Sequence, residues 1–250
     1  MRGQILMEAT IAKNGFPAAS FRAPLDDPIR YPSYKSFDEF IDVERLRSLN
    51  DYITRRIKRR IMDAQDSFFL NLHRLDQSSP YMPGAREIWL TRTLSGTKYN
   101  YMDLDQCELW EPTEAAKDLT LLMDFIGTLP FKCTGRMLII YDETGTPVPA
   151  HRDHEFEDVC HEFIWFRTNL RKPFYLLNHG TSEKVYVSSY STWFDTVNQF
   201  HGSDPVDALS FSVRIDGKFT DEFRQRIPNP LTNAASTPSL WACSTDQATM

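Results

Sequence analysis

The strongest constraint on how this chain can fold is a change of hydrophobic period after Gly127. Before it, apolar residues recur at helical spacing: Phe37, Phe40, Ile41, Leu49, Ile53, Ile57 and Ile61, then Leu119, Leu122, Met123 and Ile126. After it come short runs rich in β-branched and aromatic residues: "RMLIIY" (136–141), "HEFIWFRT" (161–168), "PFYLL" (173–177), "KVYVS" (184–188), "STWFDTV" (191–197) and "ALSFSVRI" (208–215). Gly145, Asn178-His179-Gly180 and Gly202-Ser203-Asp204-Pro205 punctuate them, and "EIWLTRT" (87–93) and "CELW" (107–110) are earlier strand candidates. Roughly eight short strands at this spacing read as a sandwich or barrel, not as alternating β-α units.

The helical part carries its own boundary signals. Ser36-Phe37-Asp38-Glu39 has the form of a capping box, which predicts a helix from there to about Met62. Its basic run "RRIKRR" (55–60) is interrupted by Ile57 at a core-facing position and reads as a solvated helix face. A second helix is expected from Thr113 to Ile126, stopped by Gly127. Residues 1–35 read as an extended arm, 36–227 as a single domain with its strand-rich core at about 87–217, and 228–250 as a loose tail.

Composition narrows the function classes. With 41% hydrophobic and 13% aromatic residues the 250-residue chain can build a substantial core. Its net charge of -6 argues against nucleic acid and anionic membrane as partners. No run approaches the ~18 apolar residues that span a bilayer, and the N-terminus lacks a signal-peptide core. The four cysteines form no C-x-x-C pair, so they are expected to be reduced thiols in a cytoplasmic protein.

The stretch "VPAHRDHEF" (148–156) concentrates the titratable residues. As a kinase catalytic loop it fails, because Asp158 stands where a magnesium-binding Asn is needed. As a zinc peptidase it fails too, since neither His154-Glu155 nor His161-Glu162 completes H-E-x-x-H. An H-x-D pair is different: on an extended segment residues i and i+2 share a side, so His151 and Asp153 can face one ion. His201, 50 residues on and beside the Gly202 turn, is the expected third ligand. Two His and one carboxylate on one face of an octahedron suit Fe(II) and leave open positions. If 2-oxoglutarate takes those positions, its far carboxylate needs a cation. Arg214, in the apolar run "ALSFSVRI", is the candidate, and Ser212 shares its face.

His151-x-Asp153, His201 and Arg214, together with "GTPVPAHRD", "FYLLN" and "STWFDTVNQFHG", resemble the Fe(II)/2-oxoglutarate-dependent oxygenases, and most of all their aspartyl/asparaginyl β-hydroxylase-like branch. The resemblance covers roughly residues 107–217. It implies a mainly β (α+β) chain: a double-stranded β-helix, that is a jelly-roll or cupin-like core, with N-terminal supporting helices. It also implies Fe(II), 2-oxoglutarate and O2, and hydroxylation of a C–H bond with release of succinate and CO2. The arginine lies slightly further from the distal histidine than in the branch. Related halogenases replace the ligand Asp by a small residue, so Asp153 points to oxygen insertion. By the same resemblance His161 is a 2-oxoglutarate contact and Arg167 a substrate contact. Trp165, on the same face, and Tyr141, which ends the strand before the motif, are further candidate pocket residues. The expected substrate is a small molecule such as an amino acid or specialised metabolite. A peptide side chain, and a non-enzymatic cupin-like metal-binding protein, are the alternatives. The oligomeric state is left open.

Overall fold

From residue 131 onward, the strands pass back and forth between two antiparallel sheets, except that Phe174–Leu177 and Lys184–Tyr186 follow one another within the smaller one. The computed structural model describes residues 34–62, 85–94, 103–143, 145–153, 162–178, 181–196 and 199–224. Its strands are β1 (Lys35–Ser36), β2 (Ala85–Trp89), β3 (Thr91–Thr93), β4 (Trp110–Pro112), β5 (Phe131–Asp142) and β6 (Val148–His151). They continue with β7 (Phe163–Phe166), β8 (Phe174–Leu177), β9 (Lys184–Tyr186), β10 (Ser191–Trp193), β11 (His201–Ser203) and β12 (Ser210–Phe219). The helices are α1 (Val43–Ser48), α2 (Asn50–Met62), α3 (Glu114–Asp118), α4 (Thr120–Ile126) and α5 (Asp221–Arg224).

The large sheet has the order β1-β10-β7-β12-β5-β2 and the small sheet β6-β11-β8-β9. The last strand β12 thus lies between β5 and β7, and β11 lies between β6 and β8. A chain that runs out and folds back between its own earlier strands is a double-stranded β-helix, the jelly roll expected above. Its two inner faces enclose the space in which the site residues meet.

Helices brace this body through one apolar core. Ile53 and Ile57 of α2 and Leu122 and Phe125 of α4 are fully buried in the cluster that also holds Ile164 and Phe166 of β7. The ring of Phe125 meets that of Phe166 edge-on at 5.6 Å. Each such aliphatic or aromatic side chain contributes about 1.5–3 kcal/mol through burial. The basic face of α2 stays in solvent as expected, with Arg55, Lys58 and Arg59 exposed.

Several expectations are corrected. Ser36 does not open a helix; it sits in β1, where it pairs with Thr192 of β10. The cap is Asp42, whose carboxylate accepts the Arg45 N–H at 2.9 Å, and a break at Leu49 separates α1 from α2. Asp38, inside the apparent capping box, instead accepts the Tyr190 and Ser191 N–H groups at 2.9 and 2.7 Å. A local pattern was therefore claimed by a partner more than 150 residues away. The helix expected over 113–126 divides at Leu119, whose φ and ψ of -100° and 45° leave the helical region. "CELW" is a 3-10 turn at Cys107–Leu109, and its strand begins only at Trp110.

The cysteine expectation is corrected as well. Cys107 and Cys133 form a disulfide with Cα atoms 5.9 Å apart, because β5 passes beside the 3-10 turn. A separation of 26 residues without a C-x-x-C motif gave no warning of it. The bond removes the thiol argument for a reducing compartment. No helix among the described residues is long and apolar enough to cross a membrane. Thiol titration of the denatured chain without reductant is expected to find at most two of the four cysteines reactive. A count of four would contradict the bond.

Candidate metal centre

Neither ligand-bearing strand was among the runs picked out by hydrophobicity, yet their pairing makes the site. β6 and β11 are antiparallel neighbours in which His151 lies directly opposite His201. Their ring centroids are 4.5 Å apart. Asp153 follows two residues after His151 and is held there by its own N–H, which donates to the Thr196 carbonyl at 3.0 Å. Gly202 permits the close approach of strands. A Cβ there would come within 2.5 Å of the Val148 carbonyl oxygen and 2.6 Å of the Tyr175 hydroxyl.

Each histidine turns the same nitrogen toward the centre. The Nδ1 atoms of His151 and His201 face the Pro149 and Gln199 carbonyls at 2.9 and 3.2 Å, in each case the residue two positions earlier. With the proton on Nδ1, those contacts turn both Nε2 atoms toward Asp153, the arrangement metal sites use. His201 Nε2 is 3.1 Å and His151 Nε2 3.7 Å from the same oxygen, Asp153 Oδ1. Metal–ligand bonds of about 2.1 Å at right angles place adjacent donors about 3 Å apart. The three atoms, all within 4.8 Å of one another, therefore fit one octahedral face around a small divalent ion.

The electrostatics suit a cation. Burial, reinforced by the neighbouring His201, lowers the His151 pKa to about 4 against the opposing pull of Asp153 and the Pro149 carbonyl. Burial alone would raise the Asp153 carboxyl, but His201, Arg214 and His151 hold it well below the usual carboxylate range. An ionised carboxylate beside a neutral imidazole is the ligand form.

Arg214 lies nearer the centre than expected. Its Nη1 donates to Asp153 Oδ2 at 2.6 Å and its Nε to Asp216 Oδ1 at 3.0 Å, while its guanidinium stacks 4.3 Å from the Phe163 ring centroid. Asp216, wholly buried, also accepts from Arg136 Nε at 2.9 Å. A buried chain Arg136–Asp216–Arg214–Asp153 thus ends on the candidate metal ligand. It ties Oδ2 and leaves Oδ1 beside the two imidazole Nε2 atoms. Asp216 and Arg136 escaped the sequence reading, although Asp216 follows Arg214 at the same two-residue spacing that makes H-x-D.

No family model matches the sequence, and no curated protein matches it. Solved structures similar to the chain include a Pseudomonas putida prolyl-4-hydroxylase, 12% identical with a TM-score of 0.41, covering 79% of this chain and 98% of that one. AviO1 from Streptomyces viridochromogenes Tue57 is 13% identical with a TM-score of 0.42, covering 80% and 93%. An oxidoreductase of the 2OG-Fe(II) oxygenase family from Burkholderia pseudomallei is 12% identical with a TM-score of 0.36, covering 62% and 75%. Likenesses of this size assign no activity. The chemistry of the site has to do so.

The triad opens into a cavity of about 150 Å³ that gathers nearly all the candidate residues. Arg214, Ser212, Arg167, Trp165 and Tyr141 all line it with His151, Asp153 and His201. His161 lies outside the described residues. Arg167 is buried, 4% exposed. Two rings the sequence reading did not single out also reach the site: Phe194 and Phe174 lie 5.0 and 6.0 Å from the His201 ring.

Replacing Asp216 by Ala leaves two buried guanidinium groups facing each other, so Asp216→Ala is expected to destabilise the fold by about 3–5 kcal/mol. Urea denaturation measures it, and a loss of only about 1 kcal/mol, typical of an exposed pair, would show that the chain is not a buried charge network.

Proposed function

We propose that this chain is an Fe(II)- and 2-oxoglutarate-dependent dioxygenase that hydroxylates a C–H bond of a small molecule. In motif it is most like the aspartyl/asparaginyl β-hydroxylase-like branch. The observation that carries the reading is the single ligand face formed by His151 Nε2, His201 Nε2 and Asp153 Oδ1, set in the wall of a mostly apolar cavity. A structural zinc site closes its coordination sphere with four protein ligands, whereas a face of three leaves room for reactants.

His151, Asp153 and His201 are the residues that would hold the ion. When bound, iron and 2-oxoglutarate together supply the oxidant: O2 and 2-oxoglutarate are consumed, one oxygen enters the C–H bond, and succinate and CO2 leave. The rest is done by this chain's own side chains. The Pro149 and Gln199 carbonyls fix the imidazole rings and their tautomers. Arg214 holds Asp153 Oδ2, so that one carboxylate oxygen, not both, faces the ion. Phe163, Trp165, Phe174 and Phe194 make an apolar wall that excludes water from the reacting carbon. The cavity is smaller than the about 300–1,000 Å³ of drug-sized ligand pockets. That size favours amino acids and metabolites over a protein segment.

Anaerobic protein given Fe(II) and 2-oxoglutarate is expected to develop a charge-transfer absorption, and in air to release succinate, faster with the right amino acid or metabolite. Asp153→Ala and His201→Ala should lose both signals. If the two variants bind Fe(II) and 2-oxoglutarate as wild type does, the triad is wrong. Tight Zn(II) binding with no affinity for 2-oxoglutarate would favour a non-enzymatic cupin-like protein instead.

A further inference from the structure

Three cations line the cavity, and two of them are already matched by carboxylates. Lys172 Nζ lies 2.9 Å from Asp142 Oδ2 and also donates to the Thr146 carbonyl at 2.8 Å. Arg214 is paired with Asp153 and Asp216. Arg167 differs. Its Nη1 donates to the Lys172 carbonyl at 3.1 Å, and its Nη2 to the carbonyls of Val187 and Ser189 at 2.8 and 3.0 Å. Asp38 is close enough to favour its charged form, but that carboxylate is held by the Tyr190 and Ser191 N–H groups and makes no ion pair with Arg167, whose buried Nε has no hydrogen-bond partner. Carbonyl dipoles hold a guanidinium in place but do not neutralise it, so a buried, cavity-lining charge of this kind calls for an anion.

Its position along the sheet says which anion. β12 and β7 pair with Arg214 opposite Trp165 and Val213 opposite Phe166, so Arg167 falls in the row of Ser212. That row is two residues, about 7 Å, further along β12 than Arg214. Arg214 touches the ligand carboxylate itself and so stands at the near end of the cavity. A cation meeting the far carboxylate of a 2-oxo diacid has to stand a carbon chain away from the metal ligands, and Arg167 lies one inward-facing row beyond the arginine that touches Asp153. The hydroxyl of Ser212, which lines the cavity beside it, makes no hydrogen bond to the described residues and can add one donor.

The geometry points to Arg167, assisted by Ser212, as the site that takes the far carboxylate of the 2-oxo acid, with Arg214 committed to Asp153. This rests on the proposed oxygenase reading and moves the anion contact from the last strand to the end of β7. The ligand class is a dicarboxylate, because a 2-oxo monoacid would leave the guanidinium buried without a counterion.

The test is a binding ratio. Anaerobic, Fe(II)-loaded full-length protein is titrated with 2-oxoglutarate and with 2-oxopentanoate, which keeps the chelating head and replaces the far carboxylate by methyl. The charge-transfer absorption reports both. Wild type is expected to prefer the diacid about 10- to 100-fold, the range for a charge-assisted contact. Arg167→Met should bring the ratio close to one, and Arg167→Lys should restore part of it. A preserved ratio in Arg167→Met overturns the assignment. Should Arg167→Met not fold, Arg167→Lys and Ser212→Val decide: a reduced ratio in both supports the site, and an unchanged ratio in both overturns it. If Fe(II)-loaded wild type binds neither acid, the oxygenase reading falls and takes this inference with it. A wild type that binds both equally overturns only the inference.

Discussion

One carboxylate organises this molecule's interior. Asp153 offers Oδ1 to the Nε2 atoms of two histidines and Oδ2 to the guanidinium of Arg214. A charge held in so little solvent is tolerable only because all these partners arrive together. Their arrival depends on the pairing of β6 with β11, which sets His151 against His201, and on β12 passing between β5 and β7, which brings Arg214 to the same point. The jelly-roll topology is therefore a condition for Asp153 to be ionised where it is.

From that carboxylate the charges continue inward in alternation: Arg214, Asp216, Arg136. Alternation keeps each guanidinium against at least one carboxylate. It also makes the network rigid, since moving one member exposes two others. Rigidity at this end of the cavity suits a metal site, whose ligands have to be held before the ion arrives. The other end, around Arg167, is built from backbone carbonyls and an aromatic stack on Trp165.

The sequence was most legible where chemistry depends on local geometry. The two-residue spacing of His151 and Asp153 and the strand-like runs led to the right neighbourhood, whereas the turn expected at Gly202-Ser203 is part of strand β11. It was least legible where a local signal had a distant competitor. Ser36-Phe37-Asp38-Glu39 has every mark of a helix cap, yet Asp38 caps the turn before β10 because the Tyr190 and Ser191 N–H groups need an acceptor there. The strands β6 and β11 escaped notice for a related reason. Residues that line a site are chosen for their donor atoms, so "VPAH" and "HGS" show no hydrophobic alternation.

By itself the sequence determined the fold class, through the change from helical to strand period, and the identity and spacing of the candidate metal ligands. Only the tertiary structure set Arg214 against Asp153 and Asp216 and Arg167 among backbone carbonyls. The sequence reading gave the far carboxylate to Arg214, because sequence carries charge and hydrophobicity but not distance. Electrostatic energy in a buried site varies steeply over a few ångströms. Those ångströms are set by the register of β12 against β7 and by the meeting of Arg214 with Asp153, 61 positions apart in the chain.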